Sequence, residues 1–400
     1  MVNFFYKSRK LNVKNSSYLK NTNLFEFIVI KILKHQLKNF KPNGIGGVIL
    51  NDFKLFKFFH KYRNYGTSLH LNLLGIIKID KIKNINGLKG FNGFWIHNPD
   101  KTYAHDLILF YIHGGGFNSN PSYLYIEFLN SLLESLFLKG FKNPAVFIPS
   151  FVKRKNSIII DQQYPQQLNR LSKIWNYINE INPNSNIVLM GDSTGGTLAL
   201  SLLLHITKPN KLIENSTQLK KPLAMLLISP VTNIFYHNSK LQYEYNLEHD
   251  LSNDEFSSED DNNNILSEVL DNCPDFITEK TIANWSESYL SDYSNKLDPY
   301  LNPGMCESID VWSKAIPSIG ISIIYGEEEY LSNDIAQFTK ILKSAGKVKV
   351  DAISREIHNW PILNYYVSKD NKKKSKGIEL ISERLTNMIL WQTPSHFEDY

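Results

Sequence analysis

The chain is 400 residues long, 42% hydrophobic and 12% aromatic, with a formal charge of +5. This composition carries an ample core, enough for one large α/β unit with a cap or for two domains, and excludes a disordered or fibrous chain. Two cysteines, Cys273 and Cys306, exclude a disulfide framework; no His-Glu-x-x-His, Cys/His cluster, dinucleotide fingerprint or P-loop is present, so neither a metal nor a cofactor is expected.

The charge is unevenly spread. Residues 1–100 hold 17 Lys or Arg against 4 Asp or Glu, and the remaining residues hold 27 against 35. Leu24 to Leu33, interrupted by Glu26 and Lys31, predicts a short amphipathic helix and not a signal sequence or a membrane span. From Phe53 to Arg63, aromatics interleave with cations; such a segment can lie on an anionic membrane surface or form an ordinary cap helix with solvated lysines. Residues 1–89 are therefore set apart as a basic N-terminal cap or membrane-associating segment. No recognition motif accompanies the charge, so no nucleic-acid partner is expected.

From about residue 90, strand and helix alternate, which predicts a mostly parallel sheet with helices on both faces. Gly93–His97, Leu107–Ile112, Ala145–Ile148, Ile187–Met190, Leu223–Ile228, Ile319–Tyr325 and the alternating Val348, Val350, Ala352 read as strands. Tyr123–Phe137, Gln166–Ile181, Gly195–His205, Asp334–Ser344 and Ile378–Trp391 read as helices. Between about 233 and 299 the pattern breaks. There two helical runs, Ile265–Leu270 and Thr278–Leu290, read as a lid insertion over the site, and the acidic, Asn-rich stretch (Glu248 to Asn264) as a disordered surface excursion of that lid or a plain loop. Lys369 to Lys376 reads as a solvated run.

Two motifs carry chemistry. The apolar run Ile187–Met190 leads into Gly191-Asp192-Ser193-Thr194-Gly195 and then an apolar helix. A serine on such a strand-to-helix turn is lifted out of the fold, with the next backbone N–H beside its Oγ. Upstream, Leu107–Ile112 runs into His113-Gly114-Gly115-Gly116-Phe117. Glycines at a strand end leave backbone N–H groups bare, and one such donor at a developing oxyanion is worth ~3 kcal/mol. An acid and a histidine should follow the serine in that order. Glu327-Glu328-Glu329 follows one later strand and His358 the next. Three adjacent glutamates leave the acid open, with Asp334 a further candidate on the first turn of the following helix.

His-Gly-Gly-Gly upstream of Gly-Asp-Ser-x-Gly-Gly resembles the hormone-sensitive-lipase branch of the α/β-hydrolases. Within it, Tyr164-Pro165-Gln166-Gln167-Leu168, Asn302-Pro303-Gly304 and His358-Asn359-Trp360-Pro361 resemble the fungal steryl acetyl hydrolases. The resemblance covers about residues 90–395 and implies an α/β-hydrolase fold with a helical cap. It implies a serine esterase acting on a small hydrophobic ester, with acetylated sterols as the specific substrate class. The family pattern Gly-x-x-acid-x-Leu points to Glu329, where the family more often has aspartate. Ser193 would be the nucleophile, His358 the base and Glu329 its orienting acid. Backbone N–H groups of Gly115, Gly116 and Thr194 would form the oxyanion hole, Thr194 replacing the family's alanine. His113, Gly114, Gly191, Asp192 and Gly195 would hold the motifs in shape.

The same resemblance places the protein at the endoplasmic reticulum or another lipid-associated membrane surface, with the cytoplasm as the alternative. Activity should rise through about pH 6–7 as His358 loses its proton. A short-chain lipase, an arylformamidase-like hydrolase and a non-catalytic ligand-binding receptor share this machinery or fold and are the competing readings.

Overall fold

Leu107–Ile112 (β3) is apolar or aromatic at all six positions and buries all six. A strand with no polar face is stable only inside a sheet covered on both sides. The computed structural model describes residues 16–38, 78–83, 92–98, 103–117, 123–150, 153–155, 158–160, 163–213, 218–235, 273–290 and 298–390. Its strands are β1 Lys78–Lys83, β2 Asn92–His97, β3, β4 Pro144–Ser150, β5 Lys153–Lys155, β6 Ile158–Ile160, β7 Asn186–Asp192, β8 Ala224–Ile228, β9 Ile321–Gly326 and β10 Val348–Ile353. Eight of them form one sheet in the order β1-β2-β4-β3-β7-β8-β9-β10, and β5 and β6 make a separate ribbon. β2 pairs antiparallel with β1 and β4; every later neighbour in the main sheet is parallel.

The helices are α1 Ser17–Lys20, α2 Leu24–Lys38, α3 Tyr123–Leu138, α4 Gln166–Ile181, α5 Thr194–Thr207, α6 Glu279–Tyr289, α7 Ile309–Ala315, α8 Ser332–Ala345, α9 Trp360–Val367 and α10 Asn371–Ile389. Alternation along β3 divides the core. Ile108, Phe110 and Ile112 pack with α4, α5 and α8, whereas Leu107, Leu109 and Tyr111 pack with α3, α9 and α10. Parallel strands running the same way bring the ends of β3, β7, β8, β9 and β10 to one edge, and the candidate residues gather there.

β1 lies before the boundary expected at residue 89 and is a strand of the main sheet. Tyr18, Leu19, Phe27 and Ile30 are buried in the core cluster that includes α4 and α5. Ser16 Oγ donates to Glu328 Oε2 at 2.6 Å, Tyr18 N to Glu328 Oε1 at 2.9 Å, and Lys34 Nζ to the Cys273 carbonyl at 3.1 Å. Residues 1–89 thus contribute two packed helices and a strand; Phe53–Arg63 lies outside the described residues. Phe27 is fully buried. Phe27→Ala is expected to cost about 3–5 kcal/mol of unfolding free energy, as emptied aromatic core sites do. A denaturant titration checks this; an unchanged midpoint would mean that α2 is not part of the folded unit.

The lysine run expected to be solvated is largely exposed at Lys369, Lys372 and Lys376, and most of it is helical. α10 begins at Asn371, with the Asp370 side chain capping Lys372 N at 3.0 Å. Three of its lysines have partners: Lys373 meets Glu26 at 3.0 Å, Lys376 meets Glu356 at 3.3 Å, and Lys374 and Lys376 lie over the rings of Tyr365 and Trp360. Partners distant in sequence, carboxylates and aromatic faces, turn a charge run into the first turns of a helix.

Candidate active site

Ser193 stands between β7 and α5 with φ 50° and ψ −126°, a conformation costly for any residue with a side chain. Its neighbours make the turn physically possible. A Cβ on Gly195 would collide with the Ile112 carbonyl oxygen, and one on Gly191 would sit 2.6 Å from the Gly195 oxygen. Hydrogen bonds lock the strained residue. Ser193 N donates to Ile228 O at 3.0 Å, and Ser193 O accepts from Gly196 N and Val231 N, each at 3.0 Å. Phe117, Ser229 and Asn359 also have positive φ and also border the site, so backbone strain is concentrated there.

Asp192 ties two loops together. Its Oδ1 accepts from Tyr111 Oη and Gly114 N, both at 2.9 Å; its Oδ2 accepts from Tyr125 Oη at 2.9 Å and Asn359 Nδ2 at 2.8 Å. Burial pushes its carboxyl up to about 6, and these four donors pull against that rise. His113 Nδ1 lies 2.8 Å from the Gly114 carbonyl oxygen, and burial brings its imidazole down to about 4, so it is neutral. Gly115, Gly116 and Phe117 follow with three successive positive φ values of 115°, 66° and 66°. Gly116 N and Phe117 N both point at Thr194 Oγ1, at 3.0 and 3.3 Å. Gln167 Nε2 fixes the far end of this loop by donating to Phe117 O at 2.7 Å.

His358 Nε2 lies 2.9 Å from Ser193 Oγ. On its other side, Nδ1 is 4.0 Å from Glu329 Oε2. Glu329 Oε2 accepts from Ser229 Oγ at 2.6 Å and Gly326 N at 3.2 Å, while Glu329 Oε1 and His358 Nδ1 have no hydrogen-bond partner among the described residues. The carboxylate thus keeps one oxygen unsatisfied beside an imidazole nitrogen that also lacks a partner, two buried groups of complementary chemistry. The three glutamates separate by partner. Glu327 accepts from Ser354 Oγ at 2.5 Å, Glu328 holds the N-terminal segment, and Glu329 faces the histidine. Asp334 sits half-buried in the first turn of α8 and makes no ion pair with His358.

Residues 273–290 roof the site. The Phe276 ring stands edge-on to His358 with centroids 5.7 Å apart, and Tyr289 stacks on Phe117 at 4.0 Å. An added Cβ on Gly116 would strike the Trp285 indole, so α6 lies directly on the oxyanion loop. The remaining lid residues, 236–272 with Ile265–Leu270 and the acidic stretch, and 291–297, lie outside the described residues. Asp275 is wholly buried, its carboxylate accepting from Phe276 N and Tyr330 N at 2.7 Å each; it joins the roof to the residue after Glu329. Sequence reasoning missed Asp275, Ser229 and Asn359 as parts of the site. Only Asn359, next to His358, and Ser229, at a strand end before Pro230, carried a local hint.

Enclosure determines the electrostatics. Ser193, Glu329 and His358 are 3%, 3% and 1% exposed. Burial raises the Glu329 carboxyl, and the Ser229 and Gly326 donors offset part of that rise. Burial alone lowers the His358 imidazole to about 3. A general base works only when neutral, and His358 stays neutral down to well below the ordinary histidine value. The acid limb expected at about pH 6–7 therefore moves lower. The rate should be level from about pH 8 to about 6.5 and fall only beneath that. A kcat/KM profile checks this, and a limb centred at about pH 6.5 or above would contradict it.

A mostly parallel eight-stranded sheet with this strand order, and a serine on the strand-to-helix turn at its carboxyl edge, define an α/β-hydrolase. Residues 83–383 match the steryl acetyl hydrolase family, and the chain belongs to it. It is 22% identical over 291 residues to Steryl acetyl hydrolase 1 of Saccharomyces cerevisiae, a match spanning 70% of this chain and 59% of that protein. Among solved structures it is similar to a thermostable esterase from Pseudomonas putida (TM-score 0.60, 15% identity, 92% of this chain and 97% of that one). A bacterial hormone-sensitive-lipase-family esterase (0.59, 15%, 91% and 98%) and carboxyl esterase 2 of Tuber melanosporum (0.54, 16%, 78% and 86%) share the fold.

Proposed function

We propose that the protein is a serine carboxylesterase that removes the acetyl group from the ester of a hydrophobic alcohol, acetylated sterols being the substrate class. The observation that carries this is the 2.9 Å contact of Ser193 Oγ with a neutral, buried His358 Nε2 beside a loop of backbone N–H groups. His358 takes the Ser193 proton as Oγ attacks the ester carbonyl, and returns it to the departing alcohol. Water then repeats the sequence on the acyl-enzyme, releasing acetate. Glu329 orients the imidazole and stabilises its charged form. Family membership and the name of the yeast relative support the sterol assignment.

Retention of both Ser193 and His358, in contact, supports an enzyme over a ligand-binding receptor. Hydrolysis of p-nitrophenyl esters from acetyl to dodecanoyl, with a sterol acetate alongside, tests the proposal. A maximum at acetyl and turnover of the sterol acetate are expected, whereas a maximum at long chains would replace it with a lipase. Among the described residues no helix is long and apolar enough to cross a membrane. The excess of cations in residues 1–100 supports peripheral attachment to an anionic lipid surface, at the endoplasmic reticulum or elsewhere. Flotation with phosphatidylserine vesicles checks that attachment, and equal recovery with neutral vesicles would refute it.

A further inference from the structure

The residue after the nucleophile uses its side chain as well as its backbone. Thr194 is 1% exposed, and its Oγ1 accepts from Gly116 N and Phe117 N. A hydroxyl has two acceptor positions and one proton to give. Both acceptor positions are taken by N–H groups of the glycine loop, so the remaining capacity of Thr194 is as a donor. No side chain or carbonyl among the described residues receives that proton. The Gly116 N–H, which a substrate oxyanion would be expected to meet directly, is already committed to a hydroxyl one residue from Ser193.

We propose that the Thr194 hydroxyl is itself an oxyanion donor, a catalytic residue interposed between the loop N–H groups and the substrate. The inference rests on the esterase reading of Ser193. When Ser193 Oγ bonds to the carbonyl carbon, the carbonyl π pair moves onto oxygen. That oxygen accepts from Thr194 Oγ1–H and from the Thr194 backbone N–H. The pair returns as the alkoxide leaves and takes the proton held by His358; Thr194 keeps its own proton throughout. The N–H groups behind it polarise the Thr194 O–H, so their donor strength reaches the oxyanion through one intermediate atom. A dry, fixed donor of this kind is stronger than the same group in water.

The alternative is a plug. If the hydroxyl merely fills the hole and must swing aside, removing it frees Gly116 N–H and speeds the reaction. Thr194→Val, Thr194→Ser and Thr194→Ala in the full chain separate the two, read as kcat and KM on an acetyl ester and as affinity for a trifluoromethyl ketone. Thr194→Val keeps the branched shape without the hydroxyl. It is expected to lower kcat by about 100-fold with KM little changed, and to weaken the ketone by a similar factor. Thr194→Ser should stay within about threefold of the parent, since it keeps the donor. Thr194→Ala should also fall, and it is the arm that separates the two readings, because alanine opens the hole that a valine methyl would still fill. Valine or alanine variants as fast as the parent, or faster, would overturn the proposal. Ser193-dependent turnover of the parent is measured first; its absence would sink the esterase reading, whereas its presence with a fast Thr194→Val would sink only this one.

Discussion

Ser193→Ala is expected to lower kcat/KM by on the order of a million-fold while leaving the thermal midpoint near that of the parent. The magnitude follows from how the residue is held. Ser193 Oγ is the atom bonded to His358 Nε2, and the turn that presents it is fixed through the backbone by bonds to Ile228, Gly196 and Val231. Alanine keeps those backbone bonds and the same φ, so the chemistry is lost without the scaffold. A residue of catalysis should survive, because the donors of the glycine loop and the binding of substrate do not depend on the hydroxyl. The measurement is hydrolysis of an acetyl ester by both proteins, with thermal unfolding alongside. A folded variant retaining more than about one per cent of the parent rate would show that another group is the nucleophile.

Glu329→Gln is expected to lower kcat by about ten-thousand-fold, with Glu328→Gln and Asp334→Asn changing it little. Glutamine fills the same buried space and still accepts from Ser229 Oγ and Gly326 N through its carbonyl oxygen. Its amide nitrogen, however, would turn a donor towards His358 Nδ1 and favour the tautomer that carries its proton on Nε2. That tautomer cannot take the proton of Ser193. Nor can an amide stabilise the imidazolium that forms in the transition state. Glu328 bonds to Ser16 and Tyr18 N, so its loss should loosen the N-terminal segment and lower stability instead. Kinetics of the three variants under one set of conditions decide the matter. A crippled Asp334→Asn with an active Glu329→Gln would move the acid to α8.

Much of this site could be read from local patterns. Strand β7 contains the apolar run Ile187–Met190, and the close contacts of Gly191 and Gly195 require glycine at both places, so the turn at Ser193 is visible as a motif. The glycine loop after β3 was visible for the same reason. The three glutamates were not separable, because a turn sequence does not say which carboxylate faces inward. Their partners are Ser354, Ser16 and His358, contributed by three different parts of the chain. The docking of α1 and α2, the roof contact of Phe276 and the Asp275 clasp join residues tens to hundreds of positions apart, where no periodicity reaches. The low pKa of His358 likewise reflects burial by the roof and the sheet edge together, which is a tertiary property.

Hydrolysis at this site requires one covalent event, the transfer of an acyl group to Ser193. Rapid acid quench of the enzyme during turnover of an acetyl ester, followed by peptide mapping by mass spectrometry, observes it directly. A single acetyl group is expected on the peptide containing Ser193, present in the parent protein and absent after Ser193→Ala. Acetate release with no acetylated enzyme at any quench time, or acetylation at a different residue, would contradict it.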